Sequence, residues 1–152
     1  MPATAATAPR VSISSLSDLE VPDAPFAVNA NANADVDAAF ARARKDGKRV
    51  MIDLGGNWCA DCRILSGLME LPEMRAFLAS HYELISVDVG RFDKNLQVPA
   101  RFGITTRLEG VPAILVATPD GRLVNAGRIS AIEDARHMTP QALADWLAQW
   151  TP

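Results

Sequence analysis

Cysteine is scarce in this sequence, whose 152 residues contain only Cys59 and Cys62. Two cysteines exclude a disulfide framework, and a bridge across so short a loop would remove little entropy from the unfolded chain. Histidine is equally scarce, and His81 and His137 lie far apart, outside any zinc-finger spacing. A zinc site needs about four ligands. Redox chemistry is therefore favoured over a metal site or an inert pair, and we predict no metal and no cofactor.

The sequence also lacks long apolar runs and an excess of basic residues. No run approaches the roughly 18 apolar residues that a membrane helix requires, so we expect no membrane span. The formal net charge is −3, whereas a nucleic-acid partner normally requires a basic face. We therefore expect no nucleic-acid partner.

The start of the chain lacks the basic residues and apolar stretch of a signal peptide. Its first ten residues are instead rich in Ala, Thr and Pro. A trimmed exported protein or a lipoprotein tether leaves such a segment, and so does a cloning boundary. We favour an extracytoplasmic, periplasmic location, with the cytoplasm as the alternative.

Low-complexity stretches divide the chain into two parts. Residues 1–33 contain two of them around short apolar residues, which predicts a mostly flexible segment in which one apolar patch could dock on the domain. Residues 34–152 are predicted to form one domain. Asp35 is the predicted N-cap of its first helix.

The domain alternates between strand and helix signals. Apolar runs predict strands at 49–55, 82–89, 112–118 and 122–125, the last returning antiparallel after a Pro-Asp-Gly turn. Helical spacing predicts helices before and after the first strand, over 93–102, and from 139 to the end. The order β-α-β-α-β-β-α predicts an α/β fold with a mixed central sheet of about four strands and helices on both faces.

The cysteine pair lies where the first strand passes into a helix. At a helix N-terminus, free backbone N–H groups and the helix dipole favour the thiolate of Cys59, which is the attacking species in disulfide exchange. Cys62 lies one helical turn further on, facing the first sulfur. It can therefore resolve a mixed disulfide by forming the intramolecular one.

Two motifs give the sequence a family resemblance. Gly56–Arg63 contains Trp-Cys-Ala-Asp-Cys after a strand, and Gly110-Val111-Pro112 opens a later one. With 87–93, these motifs resemble the thioredoxin superfamily over about residues 35–152, and within it the bacterial thioredoxin-like subgroup that includes disulfide-isomerase-like proteins. The resemblance implies a thioredoxin-like fold.

The resemblance also implies roles for three residues of the first motif and its strand. Cys59 would be the exposed nucleophile and Cys62 the buried resolving thiol. Asp53, six residues before Cys59, would be a buried acid that takes the proton of Cys62. The alternative for Asp53 is a place on an exposed sheet edge, or a pair with a lysine such as Lys48.

Three further residues are implied to contact the substrate. Trp58 would flank the cysteines, Pro112 would be a cis-proline packed against them, and the backbone of Val111 would pair with a substrate peptide. Trp58 could instead be ordinary core, and Pro112 a trans-proline at the start of an edge strand.

The residues around the cysteines depart from the Gly-Pro dipeptide of thioredoxins, and we predict that Ala60, Asp61 and Arg63 tune the redox potential. Asp61 suits the helix dipole but repels a thiolate, and Arg63 acts in the opposite sense. No histidine lies between the cysteines to stabilise the thiolate strongly. This favours a reductant or isomerase with a potential below about −180 mV over a strong oxidant.

These features predict an enzyme, a protein-disulfide reductase or isomerase that acts as a monomer on protein thiols and disulfides and receives electrons from a thiol-reducing donor. Two alternatives remain: a partner-binding module with incidental cysteines, and an electron relay to a single client. The long connections at 104–109 and 128–138 would shape partner choice, unless they are plain surface insertions.

Overall fold

The computed structural model describes residues 5–152. Its regular elements are α1 (Ala32–Asp46), β1 (Arg49–Gly55), α2 (Ala60–Met69), α3 (Pro72–His81), β2 (Tyr82–Asp88), α4 (Gln97–Ala100), β3 (Ala113–Ala117) and α5 (Pro140–Ala148). Two short 3₁₀ turns lie at Leu16–Asp18 and Ala135–His137. None of the helices in the described part of the chain is long and apolar enough to cross a membrane.

The described sheet has three strands in the order β2-β1-β3, with β1 parallel to β2 and antiparallel to β3. The mixed sheet is confirmed, but the expected fourth strand at 122–125 is reduced to one antiparallel bridge, between Ala117 and Leu123, flanked by hydrogen bonds from Val124 N to Val116 O and from Thr118 N to Arg122 O. The physical reason is Asn125, whose side chain accepts a hydrogen bond from Val116 N and donates one to Ile114 O. A side chain thereby satisfies the edge of β3 where a strand would have paired.

Helices cover both faces of the sheet, as predicted. Along β1 successive side chains point to opposite faces. Val50, Ile52 and Leu54 belong to the apolar cluster shared with α1, and Met51 belongs to the cluster shared with α2, α3 and α5. Position 53 is therefore on the α2 face of the central strand.

Two helix predictions need correction. The N-cap of α1 is Asn31, whose side chain accepts a hydrogen bond from Ala34 N at 3.1 Å. Asp35 lies within the first turn, where its charge still suits the helix dipole. The helix predicted over 93–102 is only α4, because Asn95 within that range adopts a positive φ of 53°, which a right-handed helix cannot contain.

The described part of the N-terminal segment lies against the domain. Val11 and Phe26 are buried, and Val11 N donates to Gln141 Oε1 of α5 at 2.9 Å. The predicted boundary at residues 33 and 34 and the flexibility of the segment stay predictions, and residues 1–4 lie outside the described residues.

Candidate active site

Cys59 is the N-cap of α2, the helix that follows the central strand. Its Sγ accepts a hydrogen bond from the backbone N–H of Cys62 at 3.1 Å. Both cysteines are free thiols, so the structure describes the reduced form. A sulfur at this position replaces the oxygen of an ordinary capping residue and lies where the helix favours negative charge.

The two thiols have opposite pKa shifts. A hydrogen bond from the Cys62 thiol, assisted by backbone N–H groups, lowers the pKa of Cys59 to about 7, although burial and the charge of Asp61 oppose it. The same hydrogen bond, together with burial, raises the pKa of Cys62 well above its ordinary range. Near neutral pH Cys59 is therefore the cysteine of the pair that ionises, and Cys62 keeps its proton.

Cys59 is less exposed than expected for the nucleophile. Its residue surface is only 5% accessible, and Cys62 is fully buried. The loop before β3 covers Cys59, since Leu108 and Val111 belong to its apolar cluster and Val111 O lies 3.6 Å from its sulfur. The loop before β3 therefore limits access to the sulfur of Cys59.

Asp53 is fully buried in the central strand, opposite Ser86 of β2 and Ile114 of β3. Neither carboxylate oxygen has a hydrogen-bond partner among residues 5–152. Burial, and then the charge of Cys59, raise its pKa to about 7. The edge position and the lysine pair are both wrong, since Lys48 Nζ donates to Ala79 O instead.

The sulfur of Cys62 lies over the same face of β1 as Asp53. Gly55 shares that face, two residues further along the strand, and a Cβ at position 55 would lie 2.8 Å from Cys62 Sγ. The absence of a side chain at Gly55 thus makes room for the thiol of Cys62. It also leaves Cys62 close enough to Asp53 for the charge of Asp53 to raise the pKa of Cys62 further.

Phe26 is a site residue that the sequence reasoning missed. Its ring reaches Gly55, where an added Cβ would lie 2.7 Å from Phe26 Cζ, and it belongs to the apolar cluster of both cysteines. Asn57 holds it through two hydrogen bonds, from Phe26 N at 2.8 Å and to Phe26 O at 3.0 Å. The sequence does contain a signal for it, because Phe26 is the only aromatic residue among residues 1–33.

The three predicted substrate contacts all lie beside the cysteines. Trp58 is 41% exposed, so the core alternative is wrong, and its Nε1 donates to Gly90 O at 2.7 Å. The peptide bond between Val111 and Pro112 is cis, so the trans alternative is also wrong. Their contact with a substrate stays a prediction.

Asp61 is held by Arg136, a second residue that the sequence did not indicate. The carboxylate accepts hydrogen bonds from Arg136 N at 2.8 Å and from Arg136 Nη2 at 2.9 Å. Ala60 is the first residue of α2, and Arg63 Nε is buried with no partner in the described part of the chain. The tuning roles of Ala60, Asp61 and Arg63 stay predictions, and Arg136 supplies the neighbouring positive charge.

We expect Arg136→Gln to raise the pKa of Cys59, because the negative charge of Asp61 would then oppose the thiolate without compensation. Alkylation by iodoacetamide at pH 7 should slow about twofold, since the ion pair is partly exposed. A pH profile of the alkylation rate measures the shift. Arg122→Gln, at the opposite end of β3 from Pro112, is the matched control. A Cys59 pKa equal to that of the control would contradict the expectation.

Comparison with known proteins identifies the family. Residues 31–119 match the family model described as thioredoxin-like. The chain belongs to the thioredoxin-like family. Its fold is correspondingly similar to the crystal structure of a disulphide isomerase from Xylella fastidiosa Temecula1, with a TM-score of 0.75 and 32% identity over 82% of this chain and 94% of that one.

Two curated relatives match parts of this thioredoxin-like chain. It is 36% identical over 96 residues to thiol:disulfide interchange protein DsbD 1 of Pseudomonas aeruginosa, covering 61% of this chain and 15% of that protein. It is 29% identical over 68 residues to a thioredoxin of Alicyclobacillus acidocaldarius, covering 45% of this chain and 60% of that protein. The chain thus spans less than two thirds of either relative.

Proposed function

We propose that this thioredoxin-like protein is a thiol–disulfide oxidoreductase that reduces or isomerises disulfides of other proteins. The observation that carries the proposal is the geometry of the cysteine pair, in which Cys59 Sγ caps α2 and accepts a hydrogen bond from Cys62 N at 3.1 Å while Cys62 is fully buried. A Cys59 pKa of about 7 leaves roughly half of the thiol as thiolate at pH 7. The names of the relatives support the same chemistry.

The first half-reaction links the substrate covalently to the enzyme. Cys59 Sγ attacks one sulfur of the substrate disulfide, the substrate S–S bond breaks, and the other sulfur leaves as a thiolate. The product is a mixed disulfide on Cys59. Formation of this bond removes the thiolate that held the proton of Cys62, so Cys62 becomes easier to ionise.

The second half-reaction releases the substrate. Cys62 loses its proton to ionised Asp53 and attacks Cys59 Sγ, so the mixed disulfide breaks, the Cys59–Cys62 bond forms, and the second substrate sulfur leaves as a thiolate that takes a proton from solvent. The substrate gains two electrons and the enzyme loses two. An external dithiol donor must return the enzyme to its reduced form. In isomerisation, a substrate thiol attacks the mixed disulfide instead and displaces Cys59.

The modest stabilisation of the Cys59 thiolate supports one direction of the reaction over the other. Strong oxidants of this class have thiolates with a pKa of about 3.5, whereas thioredoxin has one of about 7. The Cys59 thiol resembles the second group. This supports the reductant or isomerase assignment over an oxidant.

Insulin reduction with dithiothreitol tests the proposal. We expect the wild-type protein to accelerate precipitation of the insulin B chain and Cys59→Ser to return the rate to the uncatalysed background. Refolding of scrambled ribonuclease separates the two activities, because an isomerase restores ribonuclease activity without net reduction. A wild-type protein no faster than Cys59→Ser in either assay would show that the cysteines are incidental, as in a binding module.

A second candidate is an electron relay to one client, which the similarity to the interchange protein favours. The shared chemistry would then act between a thiol-reducing donor and a dedicated partner, and we propose a periplasmic setting for it. The Cys62→Ser variant distinguishes a relay from a general reductase, because it cannot resolve its mixed disulfides. In an extract of the native cells, a relay should accumulate a mixed disulfide with one protein, and a general reductase should accumulate mixed disulfides with many.

A further inference from the structure

Two arginines and two aromatic rings form a continuous surface beside Cys59. The rings of Trp58 and Phe92 meet edge to face with centroids 6.3 Å apart. The guanidinium of Arg91 lies 4.8 Å from the Trp58 centroid, and that of Arg107 lies 4.6 Å from the Phe92 centroid. We call Trp58, Arg91, Phe92 and Arg107 the arginine–aromatic surface.

The backbone places these groups next to the reactive sulfur. Trp58 directly precedes Cys59 and is tied to the 90–93 loop through its hydrogen bond to Gly90 O. That loop is braced by Asp88, which accepts a hydrogen bond from Gly90 N at 2.7 Å and pairs with Lys94. Arg107 lies on the loop before β3, which covers Cys59. Substrate approaching Cys59 therefore passes this surface.

The charges of the two arginines are left free of ion pairs. Within residues 5–152, neither Arg91 nor Arg107 lies within 4 Å of a carboxylate oxygen, whereas Arg42, Lys94, Arg101 and Arg136 do. Asp93 bonds only the backbone N–H of Arg91, at 3.0 Å. Aromatic faces hold guanidinium groups in place without neutralising them. Two oriented positive charges thus remain available to a ligand.

The opposite side of the covering loop carries the opposite charge. Glu109, Glu133 and Asp134 line a shallow cavity there with Val111, and the Arg136 charge in the same lining is already paired with Asp61. None of these three acids forms an ion pair with another described residue. A polypeptide lying along Val111 therefore meets positive charge on its Trp58 side and negative charge on the other.

We propose that the arginine–aromatic surface selects protein disulfides flanked by acidic residues. This inference rests on the proposed function, since it names the substrate class of the same site. Carboxylates beside the substrate cysteine pair with Arg91 and Arg107, and this contact brings the disulfide to Cys59. Attraction between opposite charges also raises the association rate, and salt weakens it.

Two disulfide-linked peptides of identical length, one with Asp and Glu beside the cysteine and one with Lys, test the inference. Each peptide is used to oxidise the reduced protein, and the rate with the acidic peptide is divided by the rate with the basic peptide. The same ratio is measured for 2-mercaptoethanol, and the protein's ratio is divided by it. This correction removes the intrinsic repulsion between a thiolate and an acidic peptide. We expect the wild-type protein to favour the acidic peptide about three- to tenfold, and less so at high salt.

Variants assign the preference to the two arginines. Arg91→Gln with Arg107→Gln should bring the ratio to about one, and replacing both with Glu should invert it. The matched control Arg122→Gln changes the same charge at the opposite end of β3 and should keep the wild-type ratio. A wild-type ratio of one, or a ratio retained in the double variant, would overturn the inference.

Reduction of a small neutral disulfide distinguishes failure of this inference from failure of the proposed function. Wild-type protein that reduces hydroxyethyl disulfide but treats both peptides alike would retain the proposed function and lose the specificity. Wild-type protein that fails to reduce both hydroxyethyl disulfide and insulin would overturn both.

Discussion

Asp53→Asn should slow resolution of the mixed disulfide by roughly 100-fold at pH 7, the usual contribution of a positioned general base. Asp53 is buried, has a pKa of about 7 and shares its strand face with the glycine over which Cys62 lies. It therefore exchanges a proton at the pH where Cys62 must lose one. Asparagine has nearly the same shape but cannot accept that proton.

The attack by Cys59 should change far less, because its thiolate is stabilised mainly by Cys62 and backbone N–H groups. Rapid acid quenching of the reaction with a disulfide peptide separates the two steps, since the mixed disulfide should accumulate only in the variant. Asp120→Asn, an exposed carboxyl on the turn after β3, is the control. Equal mixed-disulfide levels in Asp53→Asn and wild type would remove Asp53 from the mechanism.

The same carboxyl should make stability depend on pH. Its pKa is raised in the folded state to about 7 from an ordinary 3.8. Below pH 3.8 the carboxyl is protonated in both states, so the full stability is present. As the pH rises towards 7 the unfolded chain ionises first, so stability falls and the loss is complete above pH 7.

Asp53→Asn removes this loss, so the variant should be more stable than wild type at pH 8, by roughly 2–4 kcal/mol. The difference should shrink towards pH 4. Urea unfolding across this pH range measures it. A difference between variant and wild type that does not change with pH would contradict a raised pKa for Asp53.

Phe26→Ala should lower the free energy of unfolding by about 3–5 kcal/mol, the usual cost of removing a buried aromatic ring. Phe26 is 2% exposed and closes the wall beside Gly55 and Cys62. Opening that wall admits water to Asp53, so the pKa of Asp53 should also fall towards its ordinary range.

Urea unfolding of Phe26→Ala against Val28→Ala tests the role of this segment. Val28 is 53% exposed two residues away, so its truncation should change stability by no more than about 0.5 kcal/mol. If both variants were equally stable, Phe26 would be a surface attachment and not part of the active-site wall.

Local signals in the sequence predicted most of the central fold. The apolar run 49–55 became the central strand, and the helical spacing before and after it became α1 and α2. Each of these predictions depends only on the spacing of apolar residues within its own segment. The fourth strand failed because Asn125 uses its side chain to bond β3, and strand propensity does not contain that information.

The parts of the site that depend on distant residues were not predictable in this way. Cys59, Cys62 and Asp53 share one strand–helix unit, so spacing alone brings them together. Phe26 and Arg136 come from segments without periodic pattern, 33 residues before and 77 residues after Cys59. Their contacts with the site depend on tertiary packing, and so does the coverage of Cys59 by the loop before β3.

The central claim is that Cys59 attacks and Cys62 resolves, and mass spectrometry of trapped mixed disulfides tests it most directly. Reduced Cys62→Ser and reduced Cys59→Ser are each mixed with the same disulfide peptide at pH 7. We predict a stable one-to-one adduct on Cys59 of the first variant and almost none on Cys62 of the second, because Cys62 is buried and protonated. Equal adducts on both cysteines, or an adduct on Cys62 alone, would contradict the account.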